Sequence, residues 1–121
     1  MKLCITSTGN DLNSKIDPRF GRCQNFLFVD IETLEVEAVP NPAATAGGGA
    51  GTKAAQLVSE KKAEAVLTGN VGPNAYTALE AAGIKIYTGM SGICQDALDV
   101  FKQGKVSSVS GPTVESHTGL R

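Results

Sequence analysis

A chain of 121 residues with 41% apolar and 19% charged residues is sized for one domain around a single core. Its formal charge of −1 excludes a global field that would gather nucleic acid or an anionic membrane, so any basic site must be local. The absence of Trp and the scarcity of aromatics remove the stacking platforms used by single-strand binders.

Lys2 to Ser7 reads as a first strand, with Leu3 and Ile5 alternating with Cys4 and Thr6, and Thr8-Gly9-Asn10-Asp11 turns the chain. The start lacks the apolar stretch of a signal peptide, and no apolar run approaches a membrane span. A polar loop then runs to Gln24. Within it, Asp17-Pro18-Arg19-Phe20-Gly21-Arg22-Cys23 places two guanidinium groups, a proline-fixed turn and a thiol just before an apolar strand. Asn25 to Ile31 and Leu34 to Val39 are the next strands, joined by a tight connection at Asp30-Ile31-Glu32-Thr33, and Pro40-Asn41-Pro42 ends the sheet edge.

Past the glycine-rich stretch from Ala46 to Gly51, Lys53 to Lys62 forms a helix with Ala54, Leu57 and Val58 on one face. Ala63 to Thr68 is a strand, and Pro73 stands where helices begin. Ala75 to Ala82 is helical and stops at Gly83, in a left-handed C-terminal position. Ile84 to Tyr87 is the fifth strand, and Ile93 to Lys102 is a third helix ending at Gly104. Residues 1–106 make a single α/β domain, and 107–121, rich in Ser, Thr and Gly, read as a flexible tail.

This order fits a five-stranded mixed sheet with helices on both faces, the second strand antiparallel to its neighbours and the later crossovers right-handed. Ligands of open α/β sheets bind where strands hand over to helices. The exits of strands one, three, four and five and the entry of strand two are expected to share that edge. They carry Asn10, Arg19, Arg22, Cys23, Asn70, Asn74 and Cys94, with three helix N-termini pointing in. Such N-termini attract anions through backbone N–H groups and partial positive charge. Gly49, Gly51, Thr52 and Gly72 line these helix starts. Gly49-Ala50-Gly51-Thr52-Lys53-Ala54 matches GxGxxA formally, but no acidic residue follows at the dinucleotide spacing, and no Walker lysine is present. Tight packing explains the glycines equally well.

The three cysteines are widely spaced and form no CxxC pair, which suits a reduced, cytoplasmic chain. Cys23 and Cys94 are expected on one cationic edge, where thiolate is favoured and could ligate an iron–sulfur species; the plain alternative is two small apolar core residues. Cys4 reads as core. His117, in the tail, is either solvated or a ligand that folds back.

The runs Asp17-Pro18-Arg19-Phe20-Gly21-Arg22, Gly48-Gly49-Ala50-Gly51-Thr52, Thr68-Gly69-Asn70-Val71-Gly72-Pro73-Asn74-Ala75 and Ala82-Gly83-Ile84-Lys85-Ile86-Tyr87 resemble, in order, the dinitrogenase iron-molybdenum cofactor biosynthesis family over residues 1–105. The resemblance implies a three-layer α/β/α ribonuclease-H-like motif with strand order 3-2-1-4-5 and strand two antiparallel. It also implies binding of the iron-molybdenum cofactor or its iron–sulfur precursor, and transfer between donor and acceptor proteins. The stretch from Ala46 to Gly51 lacks the histidine that nitrogenase-dedicated members often carry there, which directs the reading to small stand-alone members.

Three functions follow. The first is a non-enzymatic, monomeric carrier of an anionic metallocluster, with Cys23 and Cys94 as metal ligands, Arg19 and Arg22 as counter-charges, and Asn10, Gly49, Gly51, Thr52, Asn70, Gly72 and Asn74 around the cargo. The second is a metal-dependent hydrolase, for which the first strand supplies no carboxylates and no triad is evident. The third is a binding module for a nucleotide, phosphate metabolite or partner protein.

Overall fold

The computed structural model describes residues 1–44 and 48–113. Five strands and three helices follow in the order β1 (Lys2–Ser7), β2 (Asn25–Asp30), β3 (Val36–Pro40), α1 (Ala50–Glu60), β4 (Ala65–Leu67), α2 (Pro73–Ala81), β5 (Lys85–Tyr87) and α3 (Cys94–Lys102). The sheet order is β3-β2-β1-β4-β5. β2 runs antiparallel to β1 and β3, whereas β1, β4 and β5 run parallel. Among the described residues, no helix is long and apolar enough to cross a membrane.

The alternation in β1 sorts the core into two layers, because successive side chains in a strand point to opposite faces. Cys4 joins Phe26, Phe28, Val66 and Ile86 beneath α1 and α2, which contribute Ala54, Ala55, Val58, Ala75 and Leu79. Leu3 and Ile5 join Leu27, Val29, Ala65 and Leu67 beneath α3, which contributes Cys94, Ala97 and Leu98. The result is three layers, with two helices on one face and one on the other.

Element boundaries differ from the sequence reading where side chains redirect the backbone. β3 starts at Val36 rather than Leu34, because Asp30 Oδ1 accepts the N–H groups of Glu32 and Thr33 and builds a wider turn that puts Leu34 at φ +65°. α1 starts three residues early, at Ala50, with Gly49 as a left-handed N-cap. α2 starts on Pro73 itself, whose missing N–H costs nothing in a first turn. Gly83 is left-handed at φ +74°, as the helix stop requires.

Residues 107–113, read from sequence as part of the tail, run back along the domain. Val109 packs against the α1/α2 core and donates its N–H to the Ile86 carbonyl at 2.8 Å. His117 lies outside the described residues.

Candidate functional site

The long loop after β1 crosses from one face of the sheet to the other between Ile16 and Asp17. Ile16 packs in the α3 core; Phe20 and Cys23 pack in the α1/α2 core. Asp17 makes the crossing rigid. It is 2% exposed, its N–H donates to the Thr6 carbonyl, and its own carbonyl accepts the Thr6 hydroxyl at 2.7 Å. One carboxylate oxygen accepts the Arg19 N–H at 3.1 Å, and the other accepts the Gln24 N–H at 3.2 Å. The same carboxylate lies 3.6 Å from Arg19 Nε, so the half-exposed guanidinium is tethered above the rim. Asn41, buried between two prolines, closes the loop from β3: its Nδ2 donates to the carbonyls of Gly21 and Cys23, and its Oδ1 accepts the Ala43 N–H.

That loop lies against the N-termini of α1 and α2. A Cβ on Gly21 would stand 2.9 Å from the backbone of Gly51, and a Cβ on Gly51 would stand 3.1 Å from Ala75 Cβ. Three chain segments therefore meet at van der Waals contact. A Cβ on Gly69 would stand 2.6 Å from Pro18 Cα, because Asn70 pairs with the same loop: its N–H donates to the Pro18 carbonyl and its carbonyl accepts the Phe20 N–H. Only glycine permits such approaches. The loop carrying Arg19 and Arg22 thus forms one rim with Gly51 and Asn70, and Gly49, Thr52, Gly72 and Asn74 adjoin it in the chain at the starts of α1 and α2. Arg22 is half-buried, with Nη1 3.5 Å from the Ala44 carbonyl.

Among the described residues, no side-chain cap or first-turn acid compensates the helix starts of α1 and α2 at this rim. α3 is different, which corrects the expectation of three open N-termini. The Cys94 N–H donates to the Ser14 carbonyl and the Gln95 N–H to the Leu12 carbonyl, both at 2.9 Å, and Asp96 occupies the first turn. The first half of the long loop is therefore a plug for α3. Asn10 is exposed at the start of that plugging loop.

The shared thiol pocket is also corrected. Cys23 packs in the α1/α2 core and Cys94 in the α3 core, on opposite faces of the sheet, and both are fully buried. A sheet edge has two faces, and an edge assignment alone does not say which face a loop residue takes. Nor does either thiol favour thiolate. Burial pushes Cys23 far up, the Asp17 carboxylate adds to it, and the Asn41 amide and Arg19 oppose it only partly. Burial likewise raises Cys94, against a hydrogen bond with Ser7. Cys4 is raised by burial and by its neighbour Cys23. Among the described residues, no three His, Cys, Asp or Glu side chains are grouped to hold a metal ion.

Sequence reasoning missed Asp17 as the pin of the loop and Asn41 as its clamp. An Asn flanked by prolines, directly after an edge strand, was the available signal for the second.

A family model described as dinitrogenase iron-molybdenum cofactor matches residues 1–104. An uncharacterized protein of Methanocaldococcus jannaschii is 32% identical over 97 residues, 78% of this chain and 82% of its own. Among solved structures, the apo form of the orange protein from Desulfovibrio gigas aligns with TM-score 0.90 and 40% identity, covering 93% of this chain and 96% of its own. A Thermotoga protein named after NifB and placed in the DUF35 family aligns with TM-score 0.82 and 37% identity, covering 93% and 97%.

Proposed function

Because this chain belongs to the dinitrogenase iron-molybdenum cofactor family, we propose that it carries an anionic metallocluster, or its iron–sulfur precursor, at the α1/α2 rim and passes it between donor and acceptor proteins without chemistry of its own. The observation that carries this reading is the pair of uncapped, acid-free helix N-termini meeting beneath a loop with two arginines. Backbone N–H groups at Gly51, Thr52, Asn74 and Ala75 supply fixed donors, and Arg19 and Arg22 supply counter-charge. Gly49, Asn70 and Gly72 shape the opening. The residues present fit an anion held by hydrogen bonds and charge; they do not fit a thiolate-ligated cluster, since burial disfavours thiolate at Cys23 and Cys94 and the two pack on opposite faces of the sheet.

The carboxylate nearest the rim supports a carrier over a hydrolase. Asp17 is 2% exposed and accepts a backbone N–H on each oxygen, which places it as a structural pin of the loop rather than as an open metal ligand.

The test is anaerobic reconstitution with iron and sulfide. The carrier reading predicts a coloured product that retains iron in wild type and in Cys23→Ala and Cys94→Ala, and loses it in the Arg19→Gln/Arg22→Gln double variant. A colourless wild-type product without iron overturns it. If nucleotides or inorganic phosphate then raise the thermal midpoint without iron, the rim is a phosphate site, because a ligand that prefers the native state stabilises it.

A further inference from the structure

We propose that Thr113 is a positioning residue for the rim: it clips the C-terminal segment onto Val71 and thereby sets Asn70 and the Arg19 loop. The proposal rests on the carrier reading for its purpose, but its geometry stands separately. The Val71 N–H donates to Thr113 Oγ1 at 2.9 Å, and the Thr113 N–H donates back to the Val71 carbonyl at 2.9 Å. The hydroxyl proton then faces the Val71 carbonyl at 3.3 Å and Asn70 Oδ1 at 3.5 Å.

Residues 70 and 71 are consequently held from two sides. Thr113 grips one side, and on the other Asn70 pairs with Pro18 and Phe20, the residues that flank Arg19. Val71 itself is 1% exposed in the α1/α2 core, so this short strip is the hinge between core and rim. Without Thr113 the N–H of buried Val71 loses its acceptor, a loss that a backbone group cannot repair by rotating a side chain. The segment has a second anchor at Val109, which bonds to Ile86 in the middle of β5 and packs on the core. Stability is therefore assigned to Val109 and positioning to Thr113.

Thr113→Val keeps shape and removes the hydroxyl acceptor; Thr113→Pro removes the hydroxyl and the N–H together; Thr113→Ser restores the hydroxyl. Amide hydrogen exchange of the full chain is the first readout. In the Val variant the Val71 amide is expected to exchange about tenfold faster, with Asn70 and Phe20 following, and the Ser variant returns all three to wild-type rates. The second readout is iron retention after anaerobic reconstitution, which falls several-fold in the Val and Pro variants at an unchanged thermal midpoint. Acceleration at Val71 alone in the Pro variant, with Asn70 and Phe20 unmoved, overturns the proposal. If wild type takes up no iron, the carrier reading falls, and exchange at Asn70 and Phe20 still decides the clip.

Discussion

The two halves of the rim treat the same physical problem in opposite ways. α3 begins under a loop that feeds carbonyls to its first N–H groups and carries Asp96 against its dipole. α1 and α2 begin side by side with no side-chain cap and no acid, beneath Arg19 and Arg22. A helix start that is satisfied internally adds stability, whereas one left open stores an attraction for an external anion. One long loop creates the difference, since it plugs α3 before crossing at Asp17 to wall the other side.

The largest expected effect comes from breaking the close approach that builds the open half. Gly69→Ala forces a Cβ against the Pro18 backbone and should cost about 2–4 kcal/mol of stability in denaturant unfolding. Gly72→Ala, three residues along with open space around it, should cost no more than about 1 kcal/mol, from a weaker N-cap. Equal costs would mean that the contact is not structural.

The thiols sharpen the contrast between faces. Each is held neutral by burial in the folded protein and ionises at its ordinary value when unfolded. Above that value the unfolded state binds fewer protons, so stability is complete below about pH 8.5 and falls as pH rises, by about 1.4 kcal/mol per pH unit for each thiol. Cys23→Ala and Cys94→Ala should each remove one thiol's share of the alkaline slope, since burial raises both and a carboxylate, Asp17 or Asp11, adds to it on each face. A slope left unchanged in both variants would place the titration elsewhere.

Charge on the two halves gives the next comparison. Arg19→Gln and Arg22→Gln should each weaken cargo retention about tenfold, in line with the loss of one charged hydrogen bond. Lys15→Gln, an exposed cation in the plugging loop, should leave it unchanged. The smallest effect is the most diagnostic. Thr52→Asp places an acid in the first turn of α1, as Asp96 does in α3, and should raise stability by about 0.3–1 kcal/mol while lowering retention.

The faces of the sheet were legible in the sequence because parity is local: Leu3 and Ile5 opposite Cys4 and Thr6 predict the two cores found here. The strand order came through the family resemblance rather than through any residue pattern, and the pairing matches it. The site was legible only in part. Arg19, Asn70 and the α1 and α2 starts converge as the topology implies, because strand exits share an edge. The side taken by Cys23 and Cys94 was not readable, since it depends on where the long polar loop from Thr8 to Gln24 crosses the edge (loops of such length take on shapes of their own). The crossing is set by tertiary bonds from Thr6 to Asp17, which no periodicity announces.

The most direct measurement is amide NMR of the protein during anaerobic titration with iron and sulfide. A cargo at the open half predicts shifting or broadening at Arg19 to Arg22, Gly49 to Lys53 and Asn70 to Ala75, with Asn10 to Ser14 and Cys94 to Asp96 undisturbed. Changes concentrated at Ser14, Cys94 and Gln95 would contradict it.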